Sequence, residues 1–133
     1  MQALRSFLDR HDDKIWAVFR IITGLLFAQH GAQKLFGVLQ GEMVYPNPLM
    51  VTAGVIEFGG GLLVAIGFQT MIAAIFASGE MAVAYFKVHV SKGFWPILNG
   101  GEKAAMFSFA FLAIAAHGAG IWSLDRARKQ GGG

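Results

Sequence analysis

The chain has 133 residues, 55% of them hydrophobic and only 14% charged, with a formal net charge of +3. One small water-soluble core cannot hide that much apolar surface, so the composition points to a membrane protein. The absence of cysteine excludes disulfides, thiolate metal sites, cysteine nucleophiles and dithiol relays. The basic residues lie at the termini and in short loops without aromatic interleaving, so no nucleic-acid partner is expected.

In chain order, residues 1–14 come first. Asp9, Asp12 and Asp13 interrupt the place where a signal peptide needs its apolar core. Leu4, Phe7, Leu8 and Ile15 approximate helical spacing instead, which predicts a short interfacial helix. Four apolar stretches follow, at 15–31, 49–68, 71–88 and 104–122, each near the ~17–25 residues a helix needs to cross hydrocarbon.

The predicted fold is all-α, an integral membrane four-helix bundle over residues 15–125, preceded by the interfacial segment 1–14. A basic, glycine-ended tail follows at 126–133. Asn47-Pro48 suits an N-cap followed by proline in the first turn of span two. Gly67-Phe68-Gln69-Thr70 is a tight turn that makes spans two and three antiparallel neighbours, and Asn99-Gly-Gly-Glu102 resembles a capping box before span four.

With four spans the two termini share a side. Arg5, Arg10, Lys14, Arg126, Arg128 and Lys129 lie there, so the positive-inside rule predicts cytoplasmic termini in a multi-pass protein of the plasma (inner) membrane. Loops 32–48 and 89–103 would face outward, with Phe86, Phe94 and Trp95 in the outer aromatic belt.

The polar residues within the spans are the candidates for function. On span one, Arg20, Thr23, Gly24, Phe27, His30, Gly31 and Lys34 fall within about 120° at ~100° per residue, opposite Ile21, Ile22, Leu25 and Ala28. Span two carries Glu57 with Gly60 and Gly61 on the same face, span three a stripe of Ala73, Ala77, Glu80 and Ala84, and span four Ala110, Ala113, His117 and Gly120.

Counting rise along the helices puts Glu57 and Glu80 near mid-membrane. Arg20 and His117 then lie nearer the cytoplasm, with Lys34, His89 and Glu102 outermost. An ionised carboxylate deep in lipid needs a partner, and the expectation is that Arg20 pairs with Glu57 or Glu80, with His30 or a ligand meeting the other acid. No Glu-x-x-His pair and no M-x-x-M spacing occurs, so no metal site is expected.

Several blocks together resemble the DoxX family of small four-helix membrane proteins. They are Arg20 to Gly24, His30-Gly-Ala-Gln-Lys34-Leu-Phe-Gly37, Ile56-Glu57-Phe-Gly-Gly-Gly61, Glu80-Met-Ala-Val-Ala-Tyr85 with His89, Gly93-Phe-Trp-Pro96, Asn99-Gly-Gly-Glu102 and Gly118-Ala-Gly-Ile-Trp-Ser-Leu-Asp125. The resemblance spans about Arg20 to Asp125. It implies a membrane protein associated with quinone redox processes, as in subunits of quinol oxidases, thiosulfate:quinone oxidoreductases or complexes that counter oxidative stress.

Two functional classes fit these residues. The first is a redox-associated subunit that binds a quinone or a related lipid between its helices, with Glu57 and His30 as proton and hydrogen-bond partners. Arg20, Glu80, His89, His117 and Lys34 would complete that binding site. The second is a non-enzymatic lipid or solute carrier, or a scaffold for a membrane redox complex. In either class the expected partners are membrane lipid, a redox complex and other copies of the chain.

Overall fold

A computed structural model describes residues 1–132, and among them all the regular secondary structure is helical. A short exposed helix, α1 (Gln2–Arg10), leads at His11 into α2 (Asp12–Phe36). Asp12 and Asp13 in the first turn of α2 favour the positive end of its dipole, and Gly37 closes it in the left-handed conformation. The helix thus runs five residues past the predicted span, which keeps Lys34 helical.

The next helix, α3 (Pro48–Ile66), opens as the sequence requires, with Asn47 Oδ1 accepting from the N–H groups of Leu49 and Met50 at 3.1 and 3.2 Å. Residues Ile56–Gly60 widen into a π-helical turn, which the sequence reading did not foresee. After Gly67 the chain reverses within three residues into α4 (Thr70–Lys92), whose later part holds a second π-helical turn at Tyr85–His89.

A single turn, α5 (Pro96–Asn99), then precedes α6 (Glu102–His117), and α7 (Leu124–Gly131) ends the described chain. Much of the basic tail is therefore helical, and Gly133 lies outside the described residues.

Helices α2, α3, α4 and α6 pack side by side. Three of them, α2, α3 and α4, are long and apolar enough to cross a membrane. At 16 residues, α6 falls just short of the usual length, because Gly118 breaks the helix where the apolar pattern ran on to residue 122. Large apolar side chains such as Ile22, Leu25, Ile75, Phe76 and Leu112 stand exposed on the outside, an arrangement suited to lipid rather than water.

Backbone contact sets how closely α2 and α3 approach. A Cβ on Gly31 would lie 2.2 Å from the Phe58 nitrogen, and one on Gly24 would lie 2.5 Å from the Gly61 carbonyl oxygen. Only glycine fits at either position. Ala28, expected on the lipid face, is buried by the same approach, because Gly61 lies against its backbone.

Helices α4 and α6 are joined by reciprocal hydroxyl bonds, Ser78 Oγ to the Ser108 carbonyl at 2.8 Å and Ser108 Oγ to the Ser78 carbonyl at 3.0 Å. The buried face of α6 is Ala104, Phe111 and Ile114, while Ala113 and His117 are exposed. That corrects the predicted small-residue face: the small stripe belongs to α4, and Phe111 packs in the core with Ala73, Ala74 and Ala77.

The predicted capping box is corrected as well. Asn99 is buried, accepts from the Gly101 N–H at 2.7 Å and donates to the Gly93 carbonyl at 2.9 Å. It braces the loop before α6, while Gly101 is the residue that caps α6 and Glu102 is its first helical residue.

Candidate functional site

A cavity of about 350 Å³ opens between α2, α3, α4 and the start of α6. Its polar lining brings together His30 and Lys34 from α2, Glu57 from α3, Glu80 and His89 from α4, and Lys103 from α6. Phe27 and Phe107 form an aromatic wall, their ring centroids 5.3 Å apart. Five of the seven residues singled out from the sequence therefore share one chamber.

The backbone explains how they converge. Glu57 sits in the first π-helical turn and His89 ends the second. A π turn inserts one extra residue, so it redirects side chains on its flanks without ending the helix, and such turns recur at functional sites. A Cβ on Gly54, one turn before Glu57, would stand 3.0 Å from the Leu35 side chain and 3.2 Å from Lys34 Cβ, so glycine there lets this end of α2 lie close to α3.

Glu57 is 1% exposed, and its Oε1 accepts a hydrogen bond from Lys34 Nζ. Lys34 was expected at the outer rim; it turns inward instead and supplies the counter-charge assigned to Arg20. The pair leaves two acceptors open, because Glu57 Oε2 and Glu80 Oε2 are both buried without a hydrogen-bond partner. Buried polar atoms are normally bonded, so two carboxylate oxygens without protein donors in one chamber suit a hydrogen-bond donor, a hydroxyl or a water, placed between them.

His89 Nδ1 lies 3.1 Å from the Asn99 carbonyl oxygen and must donate there, which leaves Nε2 as the ring's acceptor. The His30 ring meets Phe107 edge-on at 6.0 Å. Counting Lys34 and Lys103 against Glu57 and Glu80, the lining is balanced in charge, which suits a neutral polar molecule better than an ion.

Lys103 was read from the sequence as a loop charge. Its position four residues before Phe107 on α6 was the available sign that it shares that aromatic face.

Arg20 and His117 lie outside the chamber. Arg20 is fully buried and makes no ion pair among the described residues. Its Nη1 donates to the carbonyls of Val64 and Ala65 at 3.0 and 2.9 Å, and its Nη2 to those of Ile121 and Trp122 at 3.2 and 2.7 Å. These carbonyls belong to the end of α3 and to the segment after α6, so Arg20 ties together three parts of the chain at the end where both termini lie.

His117 stacks on Trp16 with ring centroids 4.0 Å apart, while Trp16 Nε1 donates to the Gly118 carbonyl at 3.0 Å. A second cleft at this end, about 690 Å³, is lined in part by His117, Asp125 and Arg128.

Asp125 accepts from the N–H groups of Gln69 and Thr70, both at 2.9 Å, and so ties α7 to the first turn of α4. Burial works to raise its pKa, but hydrogen bonds from Thr70 and Gln69 and the nearby Arg128 outweigh that and hold it below the ordinary value. A depressed carboxylate pKa stabilises the fold above the unfolded value, and that contribution is lost as pH falls through the folded one.

Asp125→Asn is therefore expected to lower thermal stability at pH 7 by on the order of 1 kcal/mol, as loss of a helix cap does. The difference from the unaltered protein should shrink below roughly pH 4, where the unfolded carboxyl protonates. Melting curves in detergent at pH 7 and pH 3 check both parts.

The family model for DoxX matches residues 15–90, more than half of the chain. The chain belongs to the DoxX family. An uncharacterized protein of Haemophilus influenzae is 38% identical over 125 residues, covering 89% of this chain and 93% of its own. "Inner membrane protein YqjF" of Escherichia coli is 30% identical over 120 residues, covering 82% and 88%. No solved structure matches.

The protein is thus a DoxX-family membrane protein. The DoxX match takes in His30, Lys34, Glu57, Glu80 and His89 and stops before Lys103.

Proposed function

We propose that this protein is a multi-pass subunit of the plasma (inner) membrane whose chamber binds the head of a quinone or a related lipid. Helices α2, α3, α4 and α6 form a four-helix membrane bundle over residues 15–125, flanked by the interfacial helix of 1–14 and the basic tail of 126–133. Both termini face the cytoplasm, where the basic residues of α1 and α7 gather. The observation that carries the reading is the chamber itself, with two orphaned buried carboxylate oxygens facing an aromatic wall.

The residues fit such a head. A volume of about 350 Å³ lies at the small end of the ~300–1,000 Å³ typical of ligand pockets, enough for one ring. Phe27 and Phe107 offer apolar contact to its faces, and Lys34, Lys103 and His30 offer hydrogen bonds to its oxygens. A bound quinone supplies two carbonyl oxygens that take up two electrons and two protons; the chain has no cysteine pair to supply the electrons, and they come from a membrane redox partner.

Glu57 and His30 hold and pass protons at the ring oxygens, Lys34 fixes the Glu57 carboxylate, and Glu80 closes the side of the chamber toward α3. Arg20 and His117 act at a distance, by holding the terminal end of the helices in place. Calorimetric titration of a short-chain quinol, whose hydroxyls can donate to a carboxylate, tests this reading in detergent under anaerobic conditions. Glu80→Ala and His30→Ala should each weaken quinol binding about tenfold, the ~1.4 kcal/mol of one lost hydrogen bond. Unchanged affinity in both variants would refute the site.

A further inference from the structure

A second recess lies on the outer face of the helices beside the chamber. It is a groove of about 440 Å³ between α3 and α4, almost wholly apolar and open toward the side where lipid would lie. Ile75, Phe76 and Val83 flank it and are all more than half exposed. The groove and the chamber share five wall residues, Met50, Ala53, Glu80, Ala84 and Val88. Glu80 is the acid among them, and it carries an orphaned buried oxygen.

We infer that this groove is a lateral portal through which a single-chain amphiphile enters from the bilayer. Its head passes Glu80 into the chamber and its one apolar chain stays in the groove. The inference rests on the proposed ligand reading and adds to it the route and the shape of the ligand.

Three observations carry it. The two recesses differ in character as the two ends of such a molecule do, one polar and aromatic, the other apolar. Two of the five residues that they share, Ala53 and Ala84, are small and leave the boundary thin there, beside Met50, Glu80 and Val88. Both bordering helices carry a π-helical turn beside that boundary, Ile56–Gly60 on α3 and Tyr85–His89 on α4, so the seam departs from regular helix packing where the head would cross.

Gly79 gives a way to close the portal without disturbing the fold. It lines the groove but not the chamber, sits in regular helix, and a Cβ there meets nothing within 4 Å. Ala113 on α6 is exposed, sits in regular helix and lines neither recess, so it serves as the control position.

The experiment measures binding of two quinones to the purified protein in nanodiscs, one with a long isoprenoid chain and one with a methyl group in its place. Gly79→Phe should weaken the long-chain compound at least tenfold and leave the methyl compound unchanged, and Ala113→Phe should change neither. A photoreactive group on the chain should label Ile75 or Phe76 in the unaltered protein.

Long-chain binding unaffected by Gly79→Phe, or labels scattered evenly over the outer faces as for bulk lipid, would overturn the portal while the chamber reading stands. Equal weakening of both compounds would overturn it too, by showing that the substitution acts on the chamber. If neither compound binds the unaltered protein, the chamber reading falls and the portal with it.

Discussion

Lys34→Ala is expected to destabilise the protein by ~3–5 kcal/mol, more than Glu57→Gln does, because removing one partner of a buried pair leaves an uncompensated charge. The asymmetry comes from exposure. The Glu57 side chain is 2% exposed, whereas that of Lys34 is 25% exposed and keeps a path to water. Glu57→Gln leaves a lysine that can still be hydrated, while Lys34→Ala strands a carboxylate against the close α2–α3 seam.

The double variant Lys34→Met with Glu57→Gln should recover most of the loss, since replacing both partners removes the desolvation problem. Denaturant unfolding in micelles checks the order of the three. Equal costs for the two single changes would mean that the pair is not buried as described.

Arg20→Ala is the second substitution with a large expected effect. The carbonyls of Ala65, Ile121 and Trp122 lose their Arg20 donor at once, while that of Val64 keeps the Gly67 N–H. At ~1–3 kcal/mol for each acceptor left unsatisfied, the cost should reach about 3 kcal/mol or more. Arg20→Lys should fall in between, because an ammonium has three donors on a point rather than a planar fork reaching both carbonyl pairs.

The segment from Gly118 to Ser123 should become cleavable by protease in Arg20→Ala, since Arg20 is what fastens Ile121 and Trp122 to α3. Near-normal stability in Arg20→Ala would show that these carbonyls find other donors.

Much of the fold was legible because its signals are local. The polar arc of α2 predicted the buried positions Arg20, Thr23, Gly24, Phe27 and Gly31, and Asn47-Pro48 and Gly67 marked where α3 begins and ends. What could not be read depended on backbone irregularity. The π turns at Ile56–Gly60 and Tyr85–His89 depart from 3.6-residue periodicity, and Gly59-Gly60-Gly61 read only as a packing device.

The site was legible in its members more than in its pairings. Glu57, Glu80, His30, Lys34 and His89 stood out as polar groups in apolar surroundings, and the fold collects all five. Their partners depend on tertiary approach. Lys34 lies 23 residues from Glu57, and no pattern along the chain shows that Gly54 lets this end of α2 lie close to α3. Arg20 looked like the natural counter-ion, but the break of α6 at Gly118 brings backbone carbonyls to it, and its Nη groups bond to carbonyls rather than to an acid, while Nε is left without a partner.

The central claim is that the chamber holds a lipid head against the orphaned carboxylates. The most direct test is mass spectrometry of the small molecules retained after gentle extraction from membranes, comparing the unaltered protein with Glu80→Ala at matched folding. The account predicts a quinone or related single-chain lipid enriched well above its share of the membrane, and lost in the variant. The same unselective mixture of bulk lipids from both proteins would contradict it.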